Sequence, residues 1–285
     1  LETVSRFKPV VSAILNFTPD HLNRHGSMEA YGACKAAIGK NQTSDEYMVI
    51  NYDDKACLAL GDNTKARLVP FSRTEELDLG AYIDDSYIVI RDENGIVHQI
   101  CSKDELKIIG NHNIENALAA AAISFFAGID AAVIADALKK FPGVEHRIEY
   151  CGIVDGVKFY NDSKGTNVDA SIIALKALER DIILIAGGDG KAQDFKELGE
   201  NLLGRVKALV LLGRDAKDIE KAARTAGFSN IYHENDMNDC VKRAHKLSES
   251  GDKVLLSPAC ASWDMYDNYE QRGDHFKNCV NQLLR

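Results

Sequence analysis

The second half of the chain alternates apolar runs with polar stretches about as long as a helix. The runs "IILIA", "ALVLL" and "KVLL" are continuous in aliphatic residues, without the apolar-polar alternation of a half-exposed strand. Such runs, separated by helices, are typical of a parallel sheet that is buried on both faces. We therefore predict a Rossmann-like α/β domain with a mostly parallel sheet over residues 143–285.

The first half has a less regular pattern. We predict strands at 10–18 and 47–54, a short helix at 28–39, short β-rich runs from Lys65 to Ile100 with a "DENG" hairpin, and helices at 113–128 and 130–141. Asp130 is suited to cap the last of these helices. Pro142 and Gly143 then break the chain, which places a domain boundary between residues 1–142 and 143–285.

Polar clusters follow the predicted strands of the second half. They are "NDSKGTN", "GGDGKAQD", "GRD" and "SPACAS". Because ligands of parallel α/β sheets bind at the carboxyl ends of the strands, these clusters are the first candidates for a site.

Composition narrows the class of protein. The net charge of −9 argues against a general binder of nucleic acid or of anionic membranes. No apolar run reaches the ~18 residues of a membrane span, and the first residues do not resemble a signal peptide. The 7 cysteines form no CxxC pair, which favours a reduced, cytoplasmic protein. The chain starts without Met, and we expect it to be part of a longer protein.

The stretch "AGGDGKAQDF" has two interpretations. Its glycines and Lys191 suggest a phosphate loop, but GxxxxGK[ST] fails because Ile185 stands at the first glycine and Ala192 follows the lysine. A GxGxxG fingerprint is absent as well. A glycine turn that carries a solvated lysine remains the simpler interpretation.

Three further stretches are ambiguous when each is taken alone. His21 and His25 have the i,i+4 spacing of metal ligands on a helix, or they pack in a polar loop. Arg147 forms a surface ion pair, or it contacts a phosphate or carboxylate. Residues 255–276, which hold the only Trp, either cover the end of the sheet or bind a ligand.

Taken in order, these stretches resemble the Mur ligase family along essentially the whole chain. The similarity is carried by "ILNFTPDHLNRHGSMEAYGACKAAI", "GNHNIENALAAAA", "HRIE", "NDSKGTN", "GGDGK" and "SPACASWDMYDNYEQRGDHF". Within the family, the pattern is most similar to the branch that adds D-glutamate. The DNPR sequence expected of the diaminopimelate-adding branch does not occur.

The resemblance implies an ATP- and Mg²⁺-dependent amide ligase of peptidoglycan precursor synthesis. The carboxylate of UDP-N-acetylmuramoyl-L-alanine would become an acyl phosphate, which the amine of D-glutamate then attacks. The family also implies a cytoplasmic monomer that needs neither nucleic acid nor membrane. Residues 1–142 would be the C-terminal part of the central, ATPase-type α/β domain, and residues 143–285 the amino-acid-binding domain.

The family motifs also assign roles to individual residues. His21 and Lys35 would act in catalysis and hold the metal ion, Lys35 as a carbamate, which requires a neutral amine and so a lowered lysine pKa. His112 and Lys164 would complete the catalytic set. The resemblance assigns nucleotide binding to Asn113, Asn116, Arg147 and Asp162, and D-glutamate binding to Thr166, Lys191, Ser262 and Tyr269.

The sequence departs from the family pattern because neither the UDP-binding N-terminal domain nor the G-x-x-G-K-T loop is present. We therefore expect no ligase activity from these 285 residues alone. Two alternatives remain open. One is a related ligase that resembles folylpolyglutamate synthetase, and the other is a noncatalytic, Rossmann-like nucleotide-binding fragment.

Overall fold

The computed structural model describes residues 1, 3–18 and 22–283 of the chain. They form two compact units, unit 1 (Leu1–Pro142) and unit 2 (Gly143–Arg285). Each unit has its own six-stranded sheet with helices packed on it. The predicted α/β class is confirmed, and both sheets are mostly parallel.

The sheet of unit 1 follows the order of the chain, β1-β2-β3-β4-β5-β6. The first four strands are parallel neighbours, and β4-β5-β6 is an antiparallel meander. The predicted "DENG" hairpin joins β5 to β6, where the Asp92 N–H donates to the carbonyl of Ile96 at 3.0 Å. The strands are β1 (Val11–Ile14), β2 (Tyr47–Asn51), β3 (Arg67–Ser72), β4 (Gly80–Asp84), β5 (Tyr87–Arg91) and β6 (Val97–Ser102).

The helices of unit 1 cover this sheet with small and aliphatic side chains. Ala117, Leu118 and Ala121 of α4 are buried against Val49 and Val69 of the sheet, which explains the alanine-rich sequence of that helix. The helices are α1 (Leu22–His25), α2 (Met28–Ala36), α3 (Lys55–Ala59), α4 (Asn111–Phe126) and α5 (Ala131–Lys140), with 3-10 turns at Ala37–Gly39 and Lys103–Glu105. Asp130 caps α5 as predicted, with Oδ1 2.8 Å from the Ala132 nitrogen.

The sheet of unit 2 has the order β11-β10-β9-β12-β8-β7. All neighbours from β11 to β8 are parallel, and the edge strand β7 is antiparallel to β8. We did not predict β7, although Asp155-Gly156, both with positive φ, is a typical two-residue hairpin turn. The strands are β7 (Glu149–Val154), β8 (Val157–Asn161), β9 (Ile182–Gly187), β10 (Val206–Leu212), β11 (Ile231–His233) and β12 (Lys253–Leu256).

Every residue of β9 is buried, as expected for a central strand covered on both faces. The helices of unit 2 are α6 (Val168–Leu178), α7 (Lys196–Leu202), α8 (Ala216–Thr225), α9 (Met237–Leu247) and α10 (Tyr269–Leu283). Within the described ranges, no helix of either unit is long and apolar enough to cross a membrane. Since β8, β12, β9 and β10 are parallel neighbours, the loops after them meet at one edge of the sheet, and the candidate site lies there.

Candidate functional site

Three loops leave the carboxyl ends of neighbouring strands in unit 2. They follow β8, β9 and β12, at residues 161–167, 187–193 and 257–263, and we call the surface they form the carboxyl edge of unit 2. Asp189 and Ala261 join two of them, since the N–H of each donates to the carbonyl of the other at 2.9 and 2.8 Å. Gln193 donates to the carbonyl of Ala259 at 2.8 Å. These contacts make the second and third loops one hydrogen-bonded surface.

The turn that follows β10 holds the same loops from one side. The Arg214 guanidinium pairs with the carboxylate of Asp189 at 2.8 Å, and its backbone N–H donates to Asp264 at 2.8 Å. The Asp215 carboxylate accepts the N–H of Gly190 at 2.6 Å. Side chains of three acidic residues therefore fix the path of the backbone at this edge.

Asp162 lies behind this surface and is 6% exposed. The Ser257 hydroxyl lies 2.7 Å from Asp162 Oδ2, and the Ile148 N–H donates to Oδ1 at 3.3 Å. Burial raises the pKa of Asp162 to about 7, although the hydrogen bond from Ser257 opposes the rise. The carboxylate we predicted to contact a nucleotide is thus engaged with internal partners.

Arg272 is a functional candidate that the sequence did not reveal. It is 2% exposed, and it donates to Ser163 Oγ at 3.0 Å, to the Ser163 carbonyl at 2.9 Å and to the Cys260 carbonyl at 3.0 Å. Burial lowers its pKa to about 10. Arg272 therefore ties the first loop to the third. A signal was available, because Arg272 shares a face of α10 with the buried Phe276 and Cys279.

Two lysines of the edge lie over aromatic rings. Lys164 Nζ is 5.4 Å from the ring centroid of Tyr269, and Lys191 Nζ is 4.6 Å from that of Trp263. Among the described residues, no carboxylate lies within 4.0 Å of either ammonium group. An anionic ligand would therefore find two cations here that are not already neutralised.

The other predicted residues of unit 2 also lie on or beside these loops. Ser262 is 2% exposed, and its carbonyl accepts the N–H of Tyr266 at 2.8 Å. The Thr166 N–H donates to the carbonyl of Lys164 at 2.9 Å. Arg147 is exposed, one residue after His146, whose carbonyl accepts the Lys164 N–H at 3.1 Å. The fold thus brings Lys164, Thr166, Lys191, Ser262 and Tyr269 to the same end of the sheet.

In unit 1, Lys35 lies on α2 beside a cleft. Its Nζ donates to the carbonyl of Asn16 at 3.4 Å and lies 5.1 Å from the ring centroid of Tyr31. His21, the predicted partner of Lys35, lies outside the described residues. The cleft has a volume of about 310 Å³ and is lined by Leu1, Ala13, Ile14, Leu15, Asn16, Lys35 and Ile38.

The other predicted residues of unit 1 occupy the first turns of α4. The Asn113 side chain donates to the Ile109 carbonyl at 2.8 Å, and the exposed Asn116 donates to Asn113 Oδ1 at 3.3 Å. His112 is half-buried in the same turn. The first backbone N–H groups of a helix have no carbonyl partner within the helix, and they carry a partial positive charge. The N-terminus of α4 therefore suits a negatively charged ligand.

Sequence reasoning also missed Asp53, which follows β2. Its carboxylate accepts the Ser72 hydroxyl at 2.5 Å, the Arg73 N–H at 2.8 Å and the Thr74 hydroxyl at 2.8 Å. Burial alone would raise the pKa of Asp53, but these hydrogen bonds outweigh it and lower the pKa. The carboxylate joins the carboxyl ends of β2 and β3.

Unit 2 contains one further cluster with the composition of a metal site. Ligand atoms of Glu145, His146 and Asp274 lie within 4.8 Å of one another. Lys277, however, forms ion pairs with Glu145, with Asp274 at 3.1 Å and with Glu149 at 3.5 Å. The lysine thus already supplies the positive charge of this cluster.

The two sheets and their edge loops define the class of protein. Residues 1–124 match the model of the Mur ligase middle domain, and residues 146–260 match that of the Mur ligase glutamate ligase domain. The chain belongs to the Mur ligase family.

Curated relatives of the chain include proteins named UDP-N-acetylmuramoylalanine–D-glutamate ligase. That of Thermoanaerobacter sp. (strain X514) is 49% identical over 100% of this chain and 63% of its own length. That of Clostridioides difficile (strain 630) is 48% identical over 99% of this chain and 62% of its own length. The chain thus spans about three fifths of these relatives.

Solved structures of the family share the fold. MurF from Acinetobacter baumannii matches with a TM-score of 0.69 at 17% identity, over 97% of this chain and 60% of its own. The UDP-N-acetylmuramate-alanine ligase MurC from Thermotoga maritima matches with a TM-score of 0.67 at 20% identity, also over 97% and 60%. The MurF ligase from Thermotoga maritima, solved in complex with ADP, has a TM-score of 0.62 at 17% identity, over 96% and 63%.

Proposed function

We propose that the protein containing this chain is an ATP-dependent ligase that joins D-glutamate to UDP-N-acetylmuramoyl-L-alanine during peptidoglycan precursor synthesis. Family membership supports the reaction class, and the names of relatives that are 43–49% identical support the substrates. We propose further that residues 1–142 are part of the ATP-binding domain and that residues 143–285 bind the amino acid.

The observation that carries this proposal is the pair of lysines at the carboxyl edge of unit 2. Lys164 and Lys191 rest on aromatic rings and have no carboxylate partner within 4.0 Å among the described residues. D-Glutamate brings two carboxylates and one reactive amine. Charge-assisted hydrogen bonds from Lys191 and the neighbouring Ser262 would hold the carboxylates, with Tyr269 as an aromatic wall. Thr166 would complete the pocket.

The reaction requires a negative charge to be stabilised as the amine attacks. ATP supplies the phosphoryl group of an acyl phosphate, and the amine of D-glutamate displaces phosphate through a tetrahedral oxyanion. A lysine held close to that oxygen stabilises the transition state more than the ground state, and we assign this role to Lys164. We also propose a catalytic role for His112 of unit 1. Asn113, Asn116, Arg147 and Asp162 would bind the nucleotide.

Mg²⁺ would be the metal ion of this reaction. Whether the residues around Lys35 suit this ion depends on the chemical state of the lysine. An ammonium group repels a cation, whereas a carbamate on the same nitrogen provides the oxygen ligands that Mg²⁺ prefers. The open cleft beside Lys35 and the nearby carbonyl of Asn16 are compatible with such a group. Carbamylated Lys35 and His21 would hold the ion, whose chemistry is to neutralise phosphate charge.

The remaining proposals concern cellular context. We propose that the protein acts in the cytoplasm as a monomer and requires neither nucleic acid nor a membrane. Burial raises the pKa of Cys151 and Cys260 to about 12 and keeps them as unreactive thiols.

Steady-state kinetics of the full-length protein tests the amino-acid pocket. We expect Lys191→Ala and Ser262→Ala each to raise the KM for D-glutamate, the former by about 100-fold, because a buried carboxylate loses a charged partner. Lys196→Ala is the matched control. This exposed lysine lies 4.0 Å from Glu200 and should leave the KM unchanged.

Two results would contradict the proposal. Unchanged kinetics of both pocket variants would favour a noncatalytic nucleotide-binding role. Turnover with L-glutamate but not with D-glutamate would favour a ligase similar to folylpolyglutamate synthetase. Retained turnover with D-glutamate combined with a raised KM in the two variants would support the assignment.

A further inference from the structure

We propose that Trp263 is a positioning residue that acts through Lys191. In this inference, which rests on the proposed function, the indole ring holds the lysine ammonium at the mouth of the amino-acid pocket before a carboxylate arrives. Neither the family resemblance nor the names of the relatives assigns a role to Trp263.

The first support is the geometry of the pair. Lys191 Nζ lies 4.6 Å from the ring centroid of Trp263, within the ~6 Å range of a cation–π interaction, and Trp is the best partner for it. The backbone bridge between Asp189 and Ala261 fixes this arrangement, because each partner of the pair stands two residues beyond a bridge residue. The contact is therefore built by paired loops.

The second support is the exposure of the ring. Trp263 is 65% exposed, although tryptophan is usually largely buried. Its neighbour Asp264 is anchored by the Arg214 N–H at 2.8 Å, so the backbone below the ring is held in place. The ring of Trp263 is therefore exposed to solvent on a fixed backbone, with a lysine over it. This arrangement is suited to contact a ligand.

The third support is the energetic cost of fixing a lysine. A free lysine side chain loses much of its rotamer entropy when it is immobilised. Contact with the ring removes part of this freedom before the ligand binds. It does so without a carboxylate partner, which would compete with the ligand for the positive charge. Trp263 thus keeps Lys191 both ordered and available for an acidic amino acid.

Kinetics of Trp263 variants in the full-length protein tests this role. We expect Trp263→Leu to raise the KM for D-glutamate about 2- to 5-fold, because an exposed cation–π contact is worth about 0.5–1 kcal/mol. Trp263→Phe keeps an aromatic face and should show a smaller rise. The kcat and the KM for ATP should change little. Met265→Ala is the matched control, since this neighbour is 37% exposed and should leave the KM unchanged.

A double-mutant cycle separates action through Lys191 from a general effect of the loop. In a Lys191→Met background, Trp263→Leu should cause no further rise in KM, because the ammonium it positions is gone. An equal rise in both backgrounds would overturn the inference. So would an unchanged KM in Trp263→Leu when Lys191→Ala raises it strongly. If Lys191→Ala itself has no effect, the proposed function fails instead.

Fluorescence gives a readout that a purely structural role would not move. Trp263 is the only Trp of the 285 residues, and subtracting the Trp263→Phe spectrum isolates its emission in the full-length protein. We expect D-glutamate to shift this emission in a saturable way as its carboxylate binds the ammonium that lies over the ring. Lys191→Met should alter the emission without ligand and abolish the shift. Emission that is insensitive to both changes contradicts the proposal.

Discussion

Asp53 of unit 1 and Asp162 of unit 2 occupy equivalent places, each just after a strand of a mostly parallel sheet, yet their pKa values move in opposite directions. Asp53 is exposed as a residue, and the three hydrogen bonds that its carboxylate accepts outweigh the partial burial of that group, so its charged form is favoured. Asp162 is 6% exposed, so burial favours its neutral form. The direction of each shift follows from the balance of hydration against hydrogen bonding.

The loops that follow the carboxyl ends of the strands differ between the two units in the same way. In unit 1, the carboxylates Asp53 and Asp54 are committed to backbone N–H groups and hydroxyls, which shape the strand ends. In unit 2, a buried layer that contains Asp162 and Arg272 lies behind the loops. In the part of the chain that the structure describes, Lys164 and Lys191 have no carboxylate within 4.0 Å. A rigid layer behind uncommitted cations is the arrangement expected for a binding surface.

The first prediction sharpens the comparison by disrupting the buried layer of unit 2. A Cβ at Gly188 would lie 2.4 Å from the Ala261 carbonyl oxygen and 3.3 Å from Arg272 Nη1, at a φ of +133°. We expect Gly188→Ala to lower the free energy of unfolding by at least about 2 kcal/mol more than Gly204→Ala does. Urea denaturation followed by Trp263 fluorescence would measure this.

Gly204 is the matched control for this prediction. It also has a positive φ, of +75°, but nothing lies within 4 Å of a Cβ placed there. Equal losses of stability in the two variants would show that the loops of unit 2 accommodate the extra Cβ at little cost. The loops of the two units would then differ less in rigidity than their contacts indicate.

The second prediction concerns pH and Asp162. Its pKa is raised from 3.8 to about 7, so its contribution to stability is fully present below pH 3.8 and is lost as the pH rises through 7. The loss is on the order of 4 kcal/mol, at 1.36 kcal/mol per pKa unit. Urea denaturation from pH 4 to 8 should show this fall in the wild type and not in Asp162→Asn. Parallel pH profiles would contradict it.

The smallest predicted effect has the opposite sign and concerns Asp53. Because hydrogen bonds lower its pKa, its contribution to stability is present above pH 3.8 and is lost as the pH falls through the lower, folded-state pKa. Exposure to solvent limits this contribution to less than about 1 kcal/mol. Amide exchange of β2 and β3 at pH 3 and 6 should show an acid-induced weakening that Asp53→Asn removes. A weakening that persists in the variant would count against it.

Much of the fold was predictable because local signals agreed with the global architecture. The buried run of β9, the Asp130 cap and the "DENG" hairpin each carried an unambiguous pattern. The edge strand β7 was not predicted because "EYCGIV" mixes polar and apolar residues. The turn at Asp155-Gly156 was the one sequence signal that indicates this hairpin.

The motifs predicted which residues lie at the candidate site, but they did not predict which residues contact one another there. The sequence placed Lys164, Lys191 and Ser262 at strand ends, which the fold confirms. It did not show that Asp162 is buried against Ser257, 95 residues later, or that Arg272 reaches Ser163, 109 residues earlier. No local pattern encodes such pairings, because they arise only when the sheet brings distant loops to one edge.

The sequence by itself determined the α/β class, the order of most elements and the Mur ligase family, since these depend on periodicity and on motifs within short stretches. Only the tertiary structure decided which charged groups already have partners within the protein and which remain available to a ligand. Burial and hydrogen bonds from distant loops set the charge state of Asp162 and Asp53. The ring of Trp263, brought to Lys191 by a bridge between two loops, gives that lysine a partner that leaves its charge free.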